Sequence, residues 1–195
     1  MHVSSRWCVT AVLALGALSC SDPVAPPAQG AFIATIGAPS PVEPGKSCPV
    51  TTLTFDVPGI REKDQTQVLD KDTYLHKAVD GENSAIVSCT VKSSASGSTF
   101  SGKISDGVRN FEVSEGMLGA DKKGTARVIV ANSSQLSSPL ASPTANCTIS
   151  AAEPNTNYQV KAGSMWASFS CTAVQAPPTD NCSAQGTFVL ENCNQ

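Results

Sequence analysis

The feature that most constrains this chain is an apolar residue at every second position, repeated in short runs along much of its length. Met165, Ala167, Phe169 and Cys171 fall on one side of such a run, and Ser164, Trp166, Ser168 and Ser170 fall on the other. A helix would scatter that pattern, whereas a β-strand sorts it, because successive side chains point to opposite faces. The same alternation runs through Leu53, Phe55 and Val57, ahead of a Pro58-Gly59 turn, and through Ala85, Val87, Cys89 and Val91. It returns in Ala126, Val128 and Val130, in Cys147 and Ile149, and in Phe188 and Leu190. Cys193 has the opposite parity to Phe188 and Leu190, which places it past a bulge or a strand end. Asp106-Gly107, between alternating runs at 99–105 and 110–113, signals a hairpin.

Some eight to ten short strands with turn residues between them predict an all-β chain, a single antiparallel β-sandwich. Charged residues are 15% of the chain, well under the usual quarter, while Ser, Thr, Gly and Pro are abundant, the bias of a secreted β protein. Residues 133–144 and 175–180 read as exposed loops. Residues 61–80 break the alternation, with nine charged residues in twenty. They predict a short helix or a charged excursion whose charges face solvent.

Apart from Cys8 and Cys20, six cysteines remain: Cys48, Cys89, Cys147, Cys171, Cys182 and Cys193. An even set in an exported chain, the reading that the first twenty residues support, implies a disulfide framework, and six cysteines allow fifteen pairings. A metal site is not expected, since no C-x-x-C occurs and residues 20–195 hold one histidine, His76. Pairing in sequence order would give Cys48–Cys89, Cys147–Cys171 and Cys182–Cys193. Only the last has a physical argument: its short loop closes for about 3 kcal/mol of chain entropy.

The first twenty residues carry an address. Arg6 stands ahead of an apolar run from Trp7 to Leu18, too short to span a bilayer and proportioned like a secretory signal. The run ends Leu15-Gly16-Ala17-Leu18-Ser19-Cys20, which resembles the bacterial lipobox, with Ala17 where that family usually has Leu. The resemblance implies cleavage before Cys20, diacylglyceryl transfer to its thiol, and a domain held in the cell envelope through a lipid anchor. Cys8 does not fit that role, because no apolar run precedes it. With Ser21 rather than Asp in second place, analogy with enterobacterial sorting points to the outer membrane. Prolines at 23, 26 and 27 make a semi-rigid spacer. The expected organisation is a signal peptide over 1–19, a lipidated cysteine and tether over 20–30, and one domain over 31–195. The layout of strands and paired cysteines, closing on Gly186 to Cys193, is similar to that of uncharacterised bacterial envelope lipoproteins.

Removing residues 1–19 takes 13 basic residues to 12 against 16 acidic ones, a net charge near −4. Nucleic acid and anionic headgroups, which need clustered Lys and Arg, are not expected partners. Gly-x-Ser-x-Gly, Ser-x-x-Lys, His-Glu-x-x-His and a phosphate-binding glycine loop are all missing from the sequence. Asp70-Lys71-Asp72 starts like a calcium loop, but Leu75 and Gly81 occupy the places where that loop needs Gly and Glu. The oxygens of Asp80-Gly81-Glu82-Asn83 fit a turn equally well. Trp166, alone among serines on its face, is the one candidate binding residue, as a platform for a sugar or a protein partner. The expectation is therefore a non-catalytic, lipid-anchored envelope domain with a binding or structural role and no cofactor. The alternatives are a carbohydrate- or calcium-dependent adhesion module, and a hydrolase with an acid pair that the sequence leaves unmarked.

Overall fold

The computed structural model describes residues 25–39, 47–57, 77–151, 159–176 and 180–195, and among them no helix occurs. The strands are β1 (Gln29–Gly37), β2 (Thr52–Val57), β3 (Ala78–Val79), β4 (Ile86–Ser94), β5 (Gly97–Ser105), β6 (Arg109–Gly119), β7 (Lys123–Asn132), β8 (Leu140–Ala141), β9 (Cys147–Ser150), β10 (Gln159–Lys161), β11 (Ser164–Ala176) and β12 (Asp180–Glu191). Every alternating run of the sequence becomes one of them, and β1, β3, β8 and β10 come in addition. All paired strands are antiparallel and join in one sheet, in the order β2-β1-β12-β11-β8-β7-β6-β5-β4. The short β3 pairs with β1, and β10 with β11.

That sheet doubles over. A Cβ placed on Gly30 of β1 would come within 2.8 Å of the Ile104 side chain of β5, although the two strands are not neighbours in the sheet. The ring of Phe100 in β5 stacks on that of Phe188 in β12, with centroids 6.3 Å apart. So β2-β1-β12-β11 faces β7-β6-β5-β4, the two layers of a sandwich cut from one sheet. At the corner β9 bonds to both β11 and β7, and β8 does the same with single or paired contacts. Register shifts in β5–β6, β6–β7 and β11–β12 supply bulges, which sharpen local twist and help a sheet to fold back.

The edge at β4 is covered. The Val91 N–H donates to the Asn194 carbonyl at 2.9 Å, and the Asn194 N–H to the Cys89 carbonyl at 3.0 Å. The turn before β11 joins in, with the Gly163 N–H on the Val91 carbonyl and the Cys193 N–H on the Gly163 carbonyl, each at 2.9 Å. Edge groups left bare would invite pairing with other chains, and here Asn194 and Gly163 occupy those of Cys89 and Val91.

All six phenylalanines of the chain are buried between the layers: Phe32, Phe55, Phe100, Phe111, Phe169 and Phe188. Phe111 of β6 is the hub, its centroid 5.3 Å from Phe32, 5.2 Å from Phe169 and 5.1 Å from Phe188. Burying each such ring stabilises the fold by about 1.5–3 kcal/mol. Cys193 follows β12 after Asn192, whose φ of 53° turns the chain out of the strand and resolves its parity.

Three expectations are corrected. The domain begins before residue 31, because β1 starts at Gln29, and the Pro27 and Ala28 carbonyls accept from Asn192 Nδ2 and the Asp80 N–H. The segment 133–144 is not simply an exposed loop, since Leu136, Leu140 and Ser142 are buried. Ser142 acts there as a backbone substitute, its hydroxyl accepting from the Val128 N–H and donating to the Thr144 carbonyl, each at 2.9 Å. At the ends of the 175–180 segment the chain is strand and not loop, with Gln175 and Ala176 in β11 and Asp180 in β12, while residues 177–179 lie outside the described residues. Residues 61–76, with the charged run and His76, lie outside the described residues.

Candidate functional site

The cysteines settle into Cys48–Cys182, Cys89–Cys193 and Cys147–Cys171. The Cys147–Cys171 pair is the one that sequence order anticipates; the other two are corrections. Cys182 is the third residue of β12 and Cys193 lies two residues past its end. At ~3.3 Å per residue the strand holds them about 30 Å apart, whereas a disulfide needs α-carbons within about 7 Å. Extension of the intervening chain forbids the short terminal loop. Each of the two cysteines instead meets a partner carried to its own end of β12: Cys48 just ahead of β2, and Cys89 in β4.

Trp166 does not form an exposed platform. It lies on the face opposite Met165 and Ala167, as the alternation requires, but only 7% of its surface is accessible. Its cross-strand neighbour in β12 is Val189, which in turn pairs with Ala31 of β1, and both are buried as well. These three residues make a small apolar row on the outer face of the β1-β12-β11 layer, apart from the main core. A buried indole adds to stability and offers no surface to a sugar.

Among the described residues, no group of three or more His, Cys, Asp or Glu side chains could hold a metal ion. The Asp80 carboxylate accepts from the Val87 N–H at 2.9 Å, and the Glu82 N–H donates to the Val79 carbonyl, so residues 80–85 turn β3 into β4. Asp70 and Asp72 lie outside the described residues.

The polar recess that the fold does build lies on the outer face of β4-β5-β6. It is a shallow depression of about 330 Å³ lined by Ser88, Thr90, Ser101, Lys103, Glu112 and Ser114. Lys103 sits directly opposite Glu112 in the ladder and opposite Ser88 on its other side. A neighbouring depression of about 440 Å³ continues past Thr99 to Met117, which is 60% exposed, and Glu115, held at a φ of 53° in the β6 bulge. The sequence held the signal for this face, in the polar partners of the alternating runs counted outward from the Asp106-Gly107 turn. The recess gathers hydroxyls and one pair of opposite charges, a lining suited to hydrogen-bonding a polar surface. It holds no histidine or cysteine thiol that could act as base or nucleophile.

At the end of the same hairpin, Asp106 closes the turn. Its Oδ1 accepts from the Val108 and Arg109 N–H groups at 3.0 and 2.6 Å, and its Oδ2 from Arg109 Nε at 2.7 Å. Burial pushes the carboxyl up, but the Arg109 backbone and guanidinium, the Val108 N–H and the Arg109 charge outweigh it, and Asp106 is held below the usual carboxylate range. This is a turn lock, tied to structure rather than to chemistry.

Compared with known proteins, the chain matches no family, no curated protein and no solved structure.

Proposed function

We propose that this chain is a bacterial lipoprotein, acylated on Cys20, whose disulfide-bonded β-sandwich serves in the cell envelope as a non-catalytic binding or structural domain. What carries the reading is the division of the cysteines. All six that follow Cys20 are consumed in three disulfides, which suits an oxidising compartment, while the lipobox-like Leu15 to Cys20 segment supplies a reason for Cys20 to stand apart. Two or three acyl chains would hold such a domain durably, where one would not. The docking of Pro27 and Ala28 on the domain leaves residues 21–26 as spacer. Fully extended, they reach about 20 Å. The domain would therefore ride close to the headgroups, with the hydroxyl-lined face of β4-β5-β6 as its polar recess.

The test is metabolic labelling with an alkyne fatty acid, followed by fractionation. The intact chain should take up label and partition with membranes. Cys20→Ser should lose the label and leave the membrane fraction. An unlabelled intact chain, or unchanged fractionation of the variant, would refute the anchor.

A further inference from the structure

The native disulfides interleave along the chain: Cys48 joins Cys182 and Cys89 joins Cys193, across separations of 134 and 104 residues. A chain emerging from its N-terminus presents Cys48 and Cys89 together well before either true partner. If export keeps pace with synthesis at ~5–20 residues per second, the 93 residues from Cys89 to Cys182 take ~5–20 s to emerge, which overlaps the fast end of disulfide formation in an oxidising compartment. In the unfolded chain, loop closure favours Cys89 over Cys182 as the partner of Cys48 by roughly sixfold.

That early bond has no place in the fold. Cys48 lies beside the start of β12 and Cys89 beside the segment just past its end, about 30 Å away along the strand. Joining them would prevent β12 from sitting between β1 and β11 while both ends find their cysteines. Folding also closes the window for repair, because Cys89, Cys182 and Cys193 are all buried in the finished domain.

We propose that this chain is a client of an envelope thiol–disulfide isomerase, which takes apart a Cys48–Cys89 bond before the sheet closes. The proposal rests on the export reading above. The isomerase thiolate attacks Cys48 Sγ, forming a mixed disulfide and releasing the Cys89 thiolate. The Cys182 thiolate then attacks Cys48 Sγ, forming Cys48–Cys182 and returning the isomerase thiolate, with no net electron transfer. Cys89 and Cys193 are then joined by a protein disulfide oxidant, which accepts the two electrons and two protons that they lose.

The full chain is expressed in an exporting bacterial host with and without its disulfide isomerase. Thiols are alkylated at harvest, and non-reduced peptides are mapped by mass spectrometry after a short pulse and after a chase. In both hosts the pulse should catch the Cys48–Cys89 peptide. After the chase, the Cys48–Cys182 and Cys89–Cys193 peptides should dominate with the isomerase and fall severalfold without it. Native linkages at equal yield in both hosts would overturn the proposal and leave the export reading standing. A fully alkylated, unpaired chain in both hosts would overturn export and this proposal together.

Discussion

The ring of Phe111 in β6 lies 5.1 Å from that of Phe188 in β12, at 32° between planes, and so joins the two layers of the folded sheet at their centre. Both side chains are fully buried, and Phe111 also meets Phe32 and Phe169. Truncation there removes apolar area and leaves a cavity that a closed sheet cannot collapse to fill. Phe111→Ala should cost about 3–5 kcal/mol, read as a fall in the denaturation midpoint. A double-mutant cycle with Phe188→Ala should show coupling of about 0.5–1.5 kcal/mol. Additive losses would mean that the two rings do not act as a contact.

The disulfides should differ in what they contribute. In the chain-entropy model, Cys48–Cys182 and Cys89–Cys193 each stabilise by about 5 kcal/mol and Cys147–Cys171 by about 3.5 kcal/mol, because the first two close far longer loops. Paired Cys→Ser variants of each bond, compared by guanidinium denaturation, should follow that order. The Cys89–Cys193 loss should be aggravated by release of residues 193–194 from the edge of β4. A larger loss from the Cys147–Cys171 variant would contradict the long-loop argument.

Most strand positions were legible in the sequence, though β1, β3, β8 and β10 were not, and strand partners were not legible at all, for a physical reason. Alternation is local, so Leu53, Val87, Val128 and Phe169 declared their faces from their immediate neighbours. Pairing is decided by closures across the whole chain, and β12 inserts beside β1 from about 150 residues away. Assigning each cysteine to the next one assumes that sequence neighbours meet, and the extension of β12 breaks that assumption. Trp166 shows the same division: its face followed from parity, but what covers a face is a tertiary fact. Leu140 and Ser142 were hidden because serine and proline dominate their stretch, where Ser142 pairs with backbone in place of a longer strand. The polar recess was legible only in part, since the Asp106-Gly107 hairpin was expected while the register that sets Lys103 opposite Glu112 and the concavity around them were not announced locally.

One glycine in β12 is required by a close approach. A Cβ on Gly186 would lie 1.9 Å from the Ile33 carbonyl oxygen and 2.9 Å from the Phe169 ring, so β1 could not keep its ladder with β12. Gly186→Ala should cost about 1–3 kcal/mol or more. Gly37→Ala, in the same ladder, meets only the Thr51 carbonyl at an ordinary 3.5 Å and should stay within about 0.5 kcal/mol of the parent. Thermal midpoints of the two variants make the comparison, and equal effects would mean that crowding at Ile33 is not what excludes a side chain.

The Asp106 turn sets a pH dependence whose sign is fixed by its lowered pKa. The folded state holds the carboxylate ionised better than the unfolded chain does, through the Arg109 and Val108 N–H groups and the Arg109 guanidinium. Its contribution is therefore present in full above the unfolded value and is lost as pH falls through the lower folded value. With the Asp106 side chain 21% exposed, solvent screening brings the expected size to about 1 kcal/mol. Asp106→Asn keeps the shape of the turn and removes the charge. At neutral pH it should be less stable than the parent by about that amount, and the two curves should converge below the usual carboxylate range. A gap that stays constant down to strongly acid pH would assign the loss to turn geometry and not to the Asp106–Arg109 interaction.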